Sequence, residues 1–196
     1  MKIQRIQHSL AVLATAAAAA FALPAHATNV ALAADGSWNE FTIDSAIAPS
    51  FGTSWIDFND GSALTFSFTV AAGSVATLKV VDASFAGDTF SITNFGNTIG
   101  QTSAVPVGNL NGTPVFDFDE AFADASFSQG VFTLGAGTYS ISGKLNQSVL
   151  DDSGLPLDTT NGAVSLTIAA AVPEPSTYAM LIAGMAAMGF VARRRR

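Results

Sequence analysis

Apolar and polar residues alternate through most of the middle of the chain. Residues 64–70 read LTFSFTV, so Leu64, Phe66, Phe68 and Val70 share one side and hydroxyl-bearing residues share the other. A period of two marks a half-buried strand. Residues 77–85, 89–95, 130–134, 138–145 and 163–168 read as further strands, with Ala86-Gly87-Asp88 as a turn and Gly135-Ala136-Gly137 as a hairpin signal. Residues 29–33 and 38–43 add strands expected to pair at an edge. No stretch of the body carries a convincing helical stripe. Many short strands punctuated by glycine predict an all-β body, a β-sandwich or jelly roll.

The two ends follow other rules. Lys2, Arg5 and His8 precede an apolar, alanine-rich run over residues 9–23. Pro24 breaks it, and Ala25-His26-Ala27 places small residues where a signal peptidase reads them. Residues 1–27 are expected to be a signal peptide with an apolar helix, cut between Ala27 and Thr28. At the other end, Val172-Pro173-Glu174-Pro175-Ser176 precedes sixteen uncharged residues, 177–192, and then Arg193, Arg194, Arg195 and Arg196. Sixteen helical residues reach about 24 Å, somewhat less than a hydrocarbon core of about 30 Å. Snorkelling arginines and local thinning can cover the difference. A single transmembrane helix over 177–192 is expected, with the arginines kept inside as a stop and Gly184 and Gly189 allowing close helix contact. The domain plan is thus 1–27 signal, 28–171 body, 172–196 tail.

Charge sharpens this plan. The body holds fourteen acidic residues and two basic ones, Lys79 and Lys144, a net charge of −12, although the whole chain carries −7. Such a body repels nucleic acid, whose binding rests on Lys and Arg. The chain has no cysteine, and both histidines, His8 and His26, fall in the expected signal peptide. The mature body then lacks His, Cys and Arg, which argues against Ser-His-Asp and Cys-His nucleophiles and against zinc sites built on His or Cys. A non-enzymatic protein is expected.

Carboxylates are the chemistry that remains. Asp117, Asp119, Glu120 and Asp124 form the densest cluster. In an extended segment Asp117 and Asp119 point one way, which leaves three readings open: a solvated loop, a calcium site on Asp117, Asp119 and Glu120, or a glycosidase pair. Asp82 and Asp88 flank a turn, and Asp88, which follows Gly87, reads as a turn stabiliser. Asp151 and Asp152 read as solvated. Trp38, Trp55 and Tyr139 are the candidates for stacking on sugar rings, although the core of a sandwich claims most aromatic residues.

The tail resembles the PEP-CTERM sorting signal, also called an ice-binding protein C-terminal domain. The resemblance rests on the Pro-Glu-Pro motif, the apolar span and the arginine end, in that order at the terminus. It implies recognition through Pro173, Glu174 and Pro175 by an exosortase, a membrane protease–transpeptidase. It further implies a Gram-negative bacterium that makes exopolysaccharide, transient anchoring in the inner membrane, and display at the cell surface or in a biofilm matrix. An ice-binding face would need regular Thr-x-Thr rows, and the threonines here are scattered. Residues 66–100 and 119–143 resemble a group of uncharacterised secreted β-sandwich proteins, with a strand ending in Thr-Asp (here Val81-Asp82) and then a Gly-Asp turn.

Overall fold

The computed structural model describes residues 27–171 and 175–194. The expected signal helix, Ala25, Pro173, Glu174, Arg195 and Arg196 lie outside the described residues.

Two sheets face each other. Strands β1 (Ala27–Ala31), β3 (Ala63–Val70), β8 (Gly137–Gln147), β5 (Thr89–Asn94) and β6 (Asn97–Gln101) form a five-stranded sheet in that order. Strands β2 (Asp35–Asp44), β9 (Thr159–Ala170), β4 (Ser74–Asp82) and β7 (Gln129–Leu134) form a four-stranded one. The alternation read at residues 64–70 holds: Leu64, Phe66, Phe68 and Val70 are buried, while the intervening residues are not. They meet Leu78 and Val80 of β4, Val164 and Leu166 of β9, and Phe90, Ile92 and Ile141 in one apolar core. Burying side chains of this size from both sheets is the main stabilising term of such a sandwich.

One hairpin expected from the sequence is absent. The segment 135–136 is not a hairpin turn, because β7 and β8 belong to different sheets. The turn at 86–88 likewise carries the chain from one sheet to the other. The two N-terminal strands pair at edges as expected, but of different sheets: β1 runs parallel to β3, and β2 pairs antiparallel with β9. Local turn chemistry signals a reversal but not which sheet the next strand joins. Among the described residues the one hairpin between sequential strands is β5–β6, turning at Phe95 and Gly96.

Trp55 anchors the middle of the core. It is fully buried and stacks on Phe41, with ring centroids 3.9 Å apart and planes 12° apart. Room for this stack comes from mid-strand glycines. A Cβ on Gly143 would lie 2.7 Å from the Trp55 ring, and one on Gly162 would strike the Phe41 ring and lie 2.6 Å from Val81 O.

A short helix, α1 (Phe118–Ala123), covers the outer face of the four-stranded sheet. A second apolar cluster forms there from Val81, Ala121, Phe127 and Ala163, with Trp38, Phe118 and Phe122 packed against it. The last helix, α2 (Pro175–Arg194), follows β9 after four residues.

Candidate functional site

The tail is built from the last strand outward. Residue Ala171 still belongs to the body, donating its N–H to Gly73 O at 2.8 Å. Pro175 then opens α2; its fixed φ suits a first helical turn, where its missing N–H would have no partner anyway. Arg193 and Arg194 close the helix, where positive charge complements the C-terminal end of the helix dipole. From residue 179 to 194 every position is exposed, including Met180, Leu181, Ile182, Met185, Met188 and Phe190. A helix with apolar side chains on all sides has no face that suits water. The transmembrane helix expected over 177–192 is thus matched by a helix but not by its apolarity: among the described residues no helix is long and apolar enough to cross a membrane. Alanine and glycine supply much of the run and carry little apolar surface each. At the other end of the chain, Ala27 and Thr28, the expected cleavage pair, both lie in β1, opposite Ala63 and Leu64.

In the body, the exposed acidic cluster takes a different form from the one expected. Asp117 is the N-cap of α1, accepting the N–H groups of Asp119 and Glu120 at 2.9 and 3.0 Å. Asp119 accepts the Trp38 indole N–H at 2.9 Å. The segment is helical, so the extended-chain argument for Asp117 and Asp119 fails. Among the described residues no three acidic, His or Cys side chains are placed to hold a metal ion. Capping satisfies backbone donors that a helix start leaves open, and the acidic first turn suits the helix dipole. Asp124 lies just past the helix, and hydrogen bonds from Ser126 hold its carboxyl below the usual range. Asp151 accepts the N–H groups of Ser153 and Leu155 in an exposed loop.

The aromatic candidates also resolve differently. Trp55 belongs to the core. Tyr139 stacks on Phe68, with centroids 5.0 Å apart, and donates its hydroxyl to Gly135 O. Trp38 packs against Phe118 and Phe122. The aromatic rings of the body most open to solvent are instead Phe58, Phe95 and Phe116, at 64–70% exposure. Phe95 has φ of 47°, a backbone state unusual for a bulky residue, and it borders a groove of about 380 Å³ on the five-stranded sheet. Thr65, Thr93, Ser140, Ser142 and Lys144 line that groove. The only sequence signal for it was the hydroxyl face of alternating strands.

The most perturbed chemistry lies at Asp82 and Asp88, both buried. Asp82 accepts the N–H groups of Gly87 at 3.3 Å and Asp88 at 3.2 Å, so it closes the turn it precedes. Its other oxygen, Oδ1, has no hydrogen-bond partner. Burial, helped by the charge of Asp88, pushes the Asp82 carboxyl up to about 9. Asp88 accepts the Val149 N–H at 2.7 Å. Burial pushes its carboxyl up to about 6, opposed by a hydrogen bond from Thr160. Beside Asp88 lies a cavity of about 170 Å³ lined by Ser84, Thr160 and Asn161. Ser84 and the nearby Asp158 hold φ of 66° and 51°. Gly87 has no room for a side chain, since a Cβ there would lie 2.7 Å from Gly108 Cα. The Val-Asp and Gly-Asp steps of the sequence are thus the two halves of one corner. A desolvated, protonated carboxyl satisfies backbone donors there without burying a charge.

Comparison with known proteins bears mainly on the tail. No curated protein matches the sequence. Among solved structures, the chain is similar to the pre-peptidase C-terminal domain of collagenase from Bacillus anthracis, with 11% identity and a TM-score of 0.35, over 75% of this chain and 98% of that one. It is also similar to PliG, a periplasmic inhibitor of g-type lysozyme from Aeromonas hydrophila, with 12% identity and a TM-score of 0.33, over 73% of this chain and 97% of that one. Likenesses at this level carry no functional argument. Residues 171–196 match the model of the PEP-CTERM protein-sorting motif. The tail that follows β9 is therefore a PEP-CTERM sorting motif, which implies handling by an exosortase.

Proposed function

We propose that the chain is an exported, non-enzymatic surface protein. Its β-sandwich is delivered to the membrane, held there by α2, and then released or transferred by an exosortase into an extracellular polymer layer. The observation that carries this reading is the sorting motif placed directly after the last strand of a folded body. Signal peptidase would act first, at Ala27–Thr28. Helix α2 would serve as a transient inner-membrane anchor, with Arg193–Arg196 on the inner side. The lack of His, Cys and Arg in residues 28–171 supports a body without the usual nucleophile or metal chemistry.

A second reading is favoured by the groove beside Phe95. An exposed ring, hydroxyl groups and one ammonium suit a saccharide, which presents apolar faces and many hydroxyls. The polymer contacted would be exopolysaccharide.

Deleting residues 173–175 tests the first reading. The expected product is a precursor that keeps its C-terminal arginines in cells that process the parent. Normal processing of the deletion would overturn it. A titration of the purified protein with host exopolysaccharide tests the second. Binding that weakens at least fivefold in Phe95→Ala supports it, and unchanged binding or none sinks it.

A further inference from the structure

The two ends of the sandwich differ sharply in charge. Helix α2 departs from the end formed by the β1–β2, β3–β4, β5–β6 and β7–β8 turns. Those turns are residues 32–34, 71–73, 95–96 and 135–136, and they read LAA, AAG, FG and GA. None is charged, and all but Leu32 are exposed. The opposite end carries the long connections 45–62, 83–88, 102–128 and 148–158. Of the fifteen acidic residues in the chain, Glu174 lies in the tail, Asp35 starts β2 and Glu40 lies within it. The other twelve sit in the connections of the far end or, as Asp44 and Asp82, on the last residues of the strands that lead there.

Distance gives this asymmetry a purpose. From Ala171 to Pro175 the chain can reach at most about 14 Å whatever its course. An anchored α2 therefore keeps the near end close to the lipid headgroups. Strand β8, with eleven residues, sets the far end roughly 35 Å further out. Screening at 0.1 M salt acts over about 10 Å. Acids at the near end would feel an anionic surface almost unscreened, whereas acids at the far end barely sense it. We propose that the uncharged turn face around Ala34, Ala72, Phe95 and Ala136 is a seat on the lipid headgroup surface, and that the acidic pole stands the body upright with its long loops away from the membrane. This rests on the reading of α2 as a membrane anchor. Lipid is favoured over a protein partner because the four turns offer small neutral side chains and one exposed ring, and the single acid at this end, Asp35 at the start of β2, is too few to fix a protein's register.

The chain lacks cysteine, so a single label reports one place. Full-length protein carries a fluorophore on Ala71→Cys at the near end or on Thr113→Cys at the far end. It is reconstituted in phosphatidylethanolamine–phosphatidylglycerol vesicles bearing a headgroup quencher, and flotation scores anchoring separately. The expected result is at least threefold stronger quenching at Ala71→Cys. Adding Ala34→Glu, Ala72→Glu and Ala136→Glu should halve that quenching at 0.05 M salt and recover it at 0.5 M. The same positions changed to Lys should strengthen it, which a misfolded variant would not do. Ser50→Glu, Ala125→Glu and Ser153→Glu at the far end should leave it unchanged. Flotation with equal quenching at both labels, or near-end Glu as harmless as far-end Glu, overturns the seat alone. Failure to float overturns the anchor and the seat with it. Shielding of Ala71→Cys only in membranes that contain a sorting protease would assign the face to protein and overturn the lipid reading.

Discussion

Two groups of carboxylates in the body are treated in opposite ways. Asp117, Asp119 and Glu120 crowd together in sequence, remain in water, and are occupied by helix capping and the Trp38 indole. Asp82 and Asp88 are six residues apart in sequence, are buried, and lock a corner between the sheets. The exposed group looks like a site because its charges are adjacent, while water and backbone donors satisfy it cheaply. The buried pair looks like turn punctuation, yet its protonation is what burial perturbs most. Density of charge along a sequence is thus a poorer guide to unusual chemistry than the environment into which the charge is folded.

The sharpest test of this contrast removes carboxylates from each group. Asp88→Ala leaves the Val149 N–H without its acceptor, at a cost of about 3 kcal/mol, or roughly a 10 °C fall in melting temperature. A loss under 1 °C would show that the corner does not depend on it. Asp82→Asn should be nearly silent near pH 4, because the amide mimics the protonated acid, and should stabilise at pH 7, where folding of the parent must take up a proton that the amide does not need, whereas Asp82→Ala at pH 4 should approach the Asp88→Ala loss. Equal losses for Asn and Ala would mean that Asp82 is ionised.

Acidity provides the second test. Both buried carboxyls have folded values above the ordinary 3.8, near 9 for Asp82 and near 6 for Asp88. The folded state therefore holds protons that the unfolded state releases. Their contribution is complete below about 3.8 and is lost as pH rises, first through about 6 and then through about 9. Melting temperature should fall between pH 5 and 9.5, and Asp82→Asn should flatten the upper part of that fall. A rising profile over this range would contradict the burial argument.

The smallest effect belongs to the exposed group. Asp117→Ala removes a cap worth about 1 kcal/mol, near 3 °C in a melting curve. Millimolar calcium should leave the melting of the parent protein unchanged. A clear upward shift that vanishes in Asp117→Ala would restore a ligand role.

Much of the architecture was legible from the residues. The buried face of β3 follows from alternation alone, and the sorting tail from the order of its parts. Strand β6 and helix α1 were not legible, for physical reasons. Residues 97–101, NTIGQ, bury little, so they show little alternation. The six residues of α1 are too few to show a helical period. The partner of each strand was also hidden, because which sheet a strand joins depends on contacts far along the chain. The corner of Asp82 and Asp88 was visible as a motif, but its depth was not. The depth of Trp55 was hidden for the same reason: an aromatic residue between Ser54 and Ile56 in a loop gives no sign that glycines elsewhere leave space for it.

The repeated crossing between sheets has a consequence for how quickly the body can form. Among sequential strands only β5 and β6 can zip together locally. Every other pairing waits for a distant segment, and topologies dominated by distant pairings fold on the millisecond-to-second scale. During that interval the apolar, β-prone segment at residues 64–70 is unprotected and able to pair with its counterpart on another chain.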